Sequence, residues 1–569
     1  MKFLKLFTIL NLLISSYLSF KCGTGKIKAP IIQIQPEDNS SKNLKHRNLS
    51  SHPIKIYIDY EILQSQTMFI EELKEAFDIT IKTFQKFLSI STVSKIKFTP
   101  IQINSGHAEF TADDVPYLLK NSESIGADLY IVPILSGVNL NVDASAFPIV
   151  LNSDHRPILG TVYLGTRINF ISENYLTYMT SLLLHEISHI LAFNIDLFPY
   201  FKNGGDILNT YINGKKRILL ATPNVLKYAK GHFGCESLAG LELENQGGDD
   251  SIGSHWEARI MMGDYMISQD YPEIVVSDIS LAVFEDSGWY NVNYYSGGLF
   301  KTGKGEGCKF LINDCIDKKT HLSNFKLDFC DTKKKEVCSP SLIDRGNCYL
   351  VDYNQGDDFK IDKEYQYFGN NYTGGWIFAD FCPVMENHFE KYYHYYSRCD
   401  DKGMSNLPNE LGEILSDNSF CFISTLVNSN SNDEIKNKYS YEKAICYKVE
   451  NCDINTFSYT INIGDKNFTC QNVRESKSFS VDGFDGKINC PPYFRICGGS
   501  ILCNDLFDCA EKKSVTSIVN TNSFVKNDIS YPESNIEEEI ISKIIKDSVS
   551  NHGKFLKISY FLIFGILVL

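Results

Sequence analysis

The sequence runs to 569 residues, enough for about three to four domains, so a single small module is excluded. Apolar residues make up 43% and charged residues 22%, which excludes a disordered or collagen-like chain. Sixty-nine acidic residues against 55 basic ones leave a net charge of -14, without the dominant basic surface a nucleic-acid partner needs.

Residues 1–20 place Lys2 and Lys5 before an apolar run from Leu6 to Leu13, the layout of a secretory signal peptide. Residues 21–52 are rich in Lys, Ser and Asn and read as a pro-segment or linker. IKIYIDY (54–60) alternates as a strand does, and Phe69, Leu73, Phe77, Ile81, Phe84 and Leu88 fall at helical spacing over 69–89. KIKFTPI (95–101) reads as a further strand, and DLYIVPIL (128–135) as a buried parallel one. GTVYLGTRINF (160–170) reads as an exposed sheet edge, suited to pairing with an extended peptide over residues 160–166. Strands separated by a helical pattern predict an α/β N-terminal domain.

SLLLHEISHILAFN (181–194) contains His185-Glu186-Ile187-Ser188-His189 within a helical pattern whose apolar face is Leu176, Met179, Leu183, Ile187, Ile190 and Leu191. At 3.6 residues per turn the two histidines point the same way, so their imidazoles can share one metal ion. Glu186 is offset by about 100° and is expected to act as general base on a zinc-bound water. Zinc at such a site brings the pKa of its water to about 7 and polarises a peptide carbonyl. Three polar groups in so apolar a helix argue for a shared cation over two surface histidines and a solvated Glu.

A catalytic zinc needs a third protein ligand and an open position. Position 195 is Ile195, not a histidine, and no Glu occurs between Glu186 and Glu236. His232 and His255 remain, with Asp196 behind them, and spacing alone does not choose. His107, His155 and His232 otherwise read as surface or satisfied core histidines.

Of seventeen cysteines, Cys22 and Cys235 stand apart and fifteen crowd into residues 308–509. Neither CxxC nor CxxxC occurs, so the pattern suggests a disulfide-stapled domain rather than a zinc array. Setting Cys22 aside leaves sixteen, an even number sufficient for eight disulfides. Sequons at Asn39, Asn48, Asn371 and Asn467 agree with secretion. The apolar tail from Ile558 to Leu569, after a spacer with Ser548, Ser550, Asn551 and Gly553, reads as a GPI-anchor addition signal. It would tether the mature chain to the outer membrane leaflet.

HEISHILAF and the segment GHFGCESLAGLELENQGGDDSIGSHWEARIMMGDYM (231–266) resemble the leishmanolysin family of zinc metallopeptidases. GEGCKFLINDC (305–315) and PPYFRICGG (491–499) extend the resemblance over most of the chain from about 54 to 510. It implies that His255, in Ser254-His255-Trp256-Glu257, completes a zinc site with His185 and His189, and that Met266 is a Met-turn methionine forming an apolar floor. It also implies an α+β multi-domain fold. Its parts are a metzincin-type catalytic subdomain (53–195), a central subdomain supplying the third histidine (196–304) and a cysteine-rich, mainly β C-terminal domain (305–510). A stalk (511–553) and tail (554–569) follow. Ala192 stands where the family has glycine, so the helix end is expected to shift to Asn194. His46-Arg47 is followed by Asn48 rather than cysteine, so only Cys22 is left to block the zinc; it is expected to be lost with the leader or pro-segment. The implied activity is that of a secreted or surface endopeptidase acting on protein substrates. A non-catalytic adhesion protein on the same scaffold, or a zinc hydrolase of non-peptide substrates, is the alternative.

Overall fold

A five-stranded sheet organises the first half of the chain. The computed structural model describes residues 22, 32–33, 51–91, 101–103, 117–119, 126–136, 143–165, 175–248, 251–269, 271, 274–294, 300–354, 360–386, 398–399, 407–416 and 418–497. The expected signal peptide, stalk and apolar tail lie outside these residues. Contacts gather residues 1–528 into one unit; a second, 529–569, also lies outside them.

Across the sheet stand β1 (Ile32–Gln33), β4 (Ala144–Leu151), β5 (Pro157–Gly165), β3 (Leu129–Ser136) and β2 (Ile56–Ile58). β2, β3 and β5 run parallel, β4 returns antiparallel to β5, and β1 joins β4 in parallel. The run DLYIVPIL therefore does form a buried parallel strand. The reading of residues 160–170 as an exposed edge is corrected: β5 lies between β3 and β4 with all nine residues buried. One face of the sheet feeds Val162 and Leu164 into the main core, and the other packs Ile158, Leu159, Tyr130 and Val150 together. A strand covered on both faces has no polar alternation to read. Residues 166–170 are outside the described set, as are 95–100; the strand expected at 95–101 is described only over Ile101–Ile103.

Helix α1 (Glu61–Gln66) is followed by α2 (Ile70–Phe87), which buries Leu73, Phe77 and Phe84. Helix α3 (Tyr175–Leu191) packs against α2 and across β4 and β5. It meets β5 tightly at Gly160, where a Cβ would come within 2.4 Å of Ile190 Cγ2.

The central region pairs β6 (Ile207–Ile212), β7 (Lys215–Leu220) and β8 (Leu241–Leu243) antiparallel. It adds α4 (Pro223–Phe233), the single turn α5 (Ala258–Met261) and α6 (Asp278–Ser287). Glu242, Glu257 and Asp380 converge here beneath the surface. Arg217 and Arg259 each pair with both Glu242 and Asp380, which makes the cluster a buried ion network.

Further on, six antiparallel strands form a sheet ordered 466–470, 458–463, 443–453, 419–424, 488–490 and 477–479. Among the described residues seven disulfides join Cys235–Cys308, Cys315–Cys382, Cys330–Cys348, Cys338–Cys421, Cys399–Cys446, Cys452–Cys497 and Cys470–Cys490. Cys503 and Cys509 are outside the described residues. The fold is thus mixed α/β with several sheets and many disulfides. Among the described residues no helix is long and apolar enough to cross a membrane.

Candidate metal centre

Helix α3 is buried throughout from Met179 to Leu191, and His185 and His189 lie on it wholly buried, one turn apart. Each imidazole Nδ1 faces a backbone carbonyl, His185 that of Tyr265 at 2.6 Å and His189 that of Phe193 at 2.7 Å. A carbonyl only accepts, so Nδ1 carries the proton and Nε2 presents a lone pair. The two Nε2 atoms are 3.0 Å apart.

The helix ends differently from expectation. Neither Ala192 nor Asn194 adopts a left-handed conformation; the last turn closes through Ala192 and Phe193 N–H groups on the Ser188 carbonyl and Asn194 N–H on Ala192. His189 completes this turn by binding the Phe193 carbonyl, so no glycine-like residue is needed.

His255 arrives from the segment after β8. Glu244 N–H donates to the His255 carbonyl at 2.9 Å and Trp256 N–H to the Met266 carbonyl at 2.9 Å, fixing that segment between β8 and the 264–267 turn. His255 Nδ1 donates to the Ser251 carbonyl at 2.9 Å. Its Nε2 is buried with no hydrogen-bond partner. The three rings stand 4.7, 5.2 and 4.8 Å apart between centroids. Of the candidates for a third ligand, the structure brings His255 to the pair. His232 instead bonds the Thr302 carbonyl and packs on Phe233 and Phe300. His155 stacks on Tyr200, and Asp196 is not in the cluster. His107 is outside the described residues.

Cys22, expected to be lost with the leader or pro-segment, lies at the cluster in the full chain. It is buried outside the disulfides, with Sγ 3.3 Å from His189 Nε2. Its ligand atom and those of His185, His189 and His255 all lie within 4.8 Å of one another. Cys22 pairs in parallel with Ala144 at the start of β4, and its N–H points to the Ser268 carbonyl at 3.4 Å. The sequence around Cys22 carries no pattern, and the histidine it touches, His189, is 167 positions away.

Burial holds all three imidazoles neutral. It pushes His185 down to about 3, reinforced by His255 and opposed by the Tyr265 carbonyl. It pushes His255 down to about 4 against the Ser251 carbonyl, and His189 well below its usual value. Neutral nitrogens 3.0 Å apart with no proton between them repel unless a cation lies among them. Three imidazoles and one thiol, each imidazole oriented by a second hydrogen bond, are a donor set that fits zinc. Glu186 is wholly buried beside His185, and Met266 is wholly buried with its carbonyl on Trp256. Sequence reasoning missed the three carbonyls and the Tyr265 hydroxyl that meets Ser188 at 3.0 Å.

A family model described as Leishmanolysin matches residues 80–503. A leishmanolysin-like peptidase of Caenorhabditis elegans is 27% identical over 329 residues, covering 47% of this chain and 49% of the relative. That of Drosophila melanogaster is 28% identical over 285 residues, 41% of each chain. The leishmanolysin of Leishmania major is 26% identical over 360 residues, 61% of this chain and 56% of the relative. The chain spans about half the length of the curated relatives it matches.

Proposed function

The chain belongs to the leishmanolysin family of zinc metallopeptidases, and from that premise we propose that it is a zinc-dependent endopeptidase. Its substrates are peptide bonds of proteins outside the cell or at its surface. The observation that carries this reading is the convergence of three neutral, carbonyl-oriented imidazoles on one buried point. His185, His189 and His255 would hold the ion. When bound, zinc supplies a Lewis acid and brings a water molecule's pKa near neutrality. Glu186 takes the proton from the attacking water and hands it to the leaving nitrogen, so no free hydroxide or amide anion is released. Met266 closes the apolar floor, which keeps competing water out.

Cys22 is proposed to hold the chain latent by filling the position a substrate needs. β1 and Cys22 lie along β4, and their departure would leave β4 as the sheet edge against which an extended peptide can pair. A metzincin arrangement, with catalytic, central and cysteine-rich parts divided near 195 and 304, accords with the placement of α3 and His255. The disulfides fit an oxidising, extracellular setting. The expected GPI anchor would keep the protein at the outer leaflet.

Incubating the chain, cut after its N-terminal segment, with denatured casein tests the mechanism. Cleavage should occur, stop with a zinc chelator and be lost in Glu186→Ala. Cleavage surviving Glu186→Ala would sink the base assignment. Bound zinc without cleavage of any protein would favour the adhesion reading.

A further inference from the structure

Asp264 is buried, and its carboxylate accepts from the Ser280 hydroxyl, from Met266 N–H and from Ser277. Ser280 Oγ donates to both oxygens at 2.8 Å, and Met266 N–H donates to Oδ1 at 2.8 Å. Ser280 Oγ in turn accepts the Trp256 indole N–H at 2.7 Å. Trp256 directly follows His255, and Tyr265, whose carbonyl orients His185, directly follows Asp264. One side chain therefore stands between the backbone that aims His185 and the indole that anchors His255.

We propose that Asp264 is a positioning residue that sets the separation of His185 from His255. It touches neither histidine. Its first arm, through Met266 N–H, shapes the 264–266 turn so that the Tyr265 carbonyl meets His185 Nδ1. Its second arm runs through Ser280 to Trp256 and holds the segment that bears His255 against helix α6. Each link is donor to acceptor in one sense only: indole to hydroxyl, hydroxyl to carboxylate. Loss of the carboxylate frees the hydroxyl to turn, and the indole then loses its fixed acceptor. The outer hydrogen bonds of metal-binding histidines carry about 10–100-fold in metal affinity; here the one from His185 to the Tyr265 carbonyl depends on this carboxylate, which also anchors Trp256 beside His255.

The inference rests on the zinc reading of the site, and its test reads metal binding rather than peptide cleavage. The full chain carrying Cys22→Ser, so that only imidazoles compete for the ion, is compared with the same chain carrying Asp264→Ala, Asp264→Asn, Ser280→Ala or Trp256→Phe. Zinc affinity and the visible spectrum of the cobalt form are measured. Asp264→Ala should weaken zinc about 10–100-fold and shift the cobalt bands. Asp264→Asn, which still accepts from Met266 N–H, should restore part of both. Trp256→Phe and Ser280→Ala remove the His255 arm alone and should give a smaller change. They also decide the matter if Asp264→Ala does not fold. Variants that melt earlier yet keep the parent's affinity and cobalt spectrum would show a merely structural role and overturn the proposal. Failure of the parent to take up zinc would remove the metal reading and this inference together.

Discussion

The three imidazoles of the centre are each held by one backbone carbonyl, and that arrangement has a definite acid sensitivity. Their folded-state values lie below the ordinary 6.5, at about 3 for His185 and about 4 for His255. Above pH 6.5 folded and unfolded chains are both neutral there, and nothing is lost. As pH falls from 6.5 towards 4 the unfolded chain takes up protons that the folded one refuses, so stability drops. The thermal midpoint of the metal-stripped chain should fall across that window, whereas zinc affinity of the folded chain should fall only near pH 4 and below, where a proton on Nε2 excludes the ion. A flat midpoint from pH 7 to 4.5 would contradict the neutral triad. Cys22 belongs to the same scale. Cys22→Ser in the uncut chain should raise casein cleavage on the order of 10²-fold, because a tethered ligand is replaced by a weaker one. Equal activity with and without the thiol would exclude latency through Cys22. The histidine pair was legible because HExxH needs only helical periodicity. Cys22 was not, because a thiol's partner across the fold leaves no mark on its neighbours.

At the level of elements, the critical packing is α3 on β5. Gly160 permits it, because a methyl there would overlap Ile190 Cγ2, Cδ1 and Cγ1, the last at 3.0 Å. Ile190 is β-branched and buried, so it has little room to rotate away. Gly160→Ala should cost about 1–3 kcal/mol of stability, measured by denaturant unfolding. It should also weaken zinc binding, since Ile190 follows His189 directly; unchanged stability would mean that the helix can lift off the sheet freely. Helix α2 and strand β3 could be read from the sequence, since one has an apolar stripe and the other a continuous apolar run. β5 could not, because its placement between β3 and β4 depends on which chain segments cover its two faces. The end of α3 misled for a related reason: a side-chain bond from His189 to the Phe193 carbonyl replaces the left-handed cap that local sequence would call for.

For the whole molecule, the cysteine count correctly implied a stapled second half, and crowding alone could not assign the pairs. Cys338–Cys421 closes 83 residues and ties the strand Glu336–Cys338 to the six-stranded sheet. Replacing both cysteines by alanine should lower stability by about 3–5 kcal/mol, read from the denaturant midpoint in an oxidising buffer. A loss under about 1 kcal/mol would mean the neighbouring bridges already confine that loop. Arg495 performs a similar role without a covalent bond: buried, it binds the Lys301 and Pro340 carbonyls and pairs with Asp328.

The parallel pairing of β1 and Cys22 with β4 has a kinetic consequence. If Cys22 holds the chain latent as proposed, its thiol, attached to the chain it blocks, acts at an effective concentration on the order of millimolar, whatever the dilution of the protein. Free thiols or peptides in the surroundings would have to exceed that level to displace it. Once the segment is severed, that advantage falls to the segment's bulk concentration, and rebinding becomes rare. Activation by cutting would then behave as a one-way step, while capture of the sulfur as a mixed disulfide would behave as a reversible one.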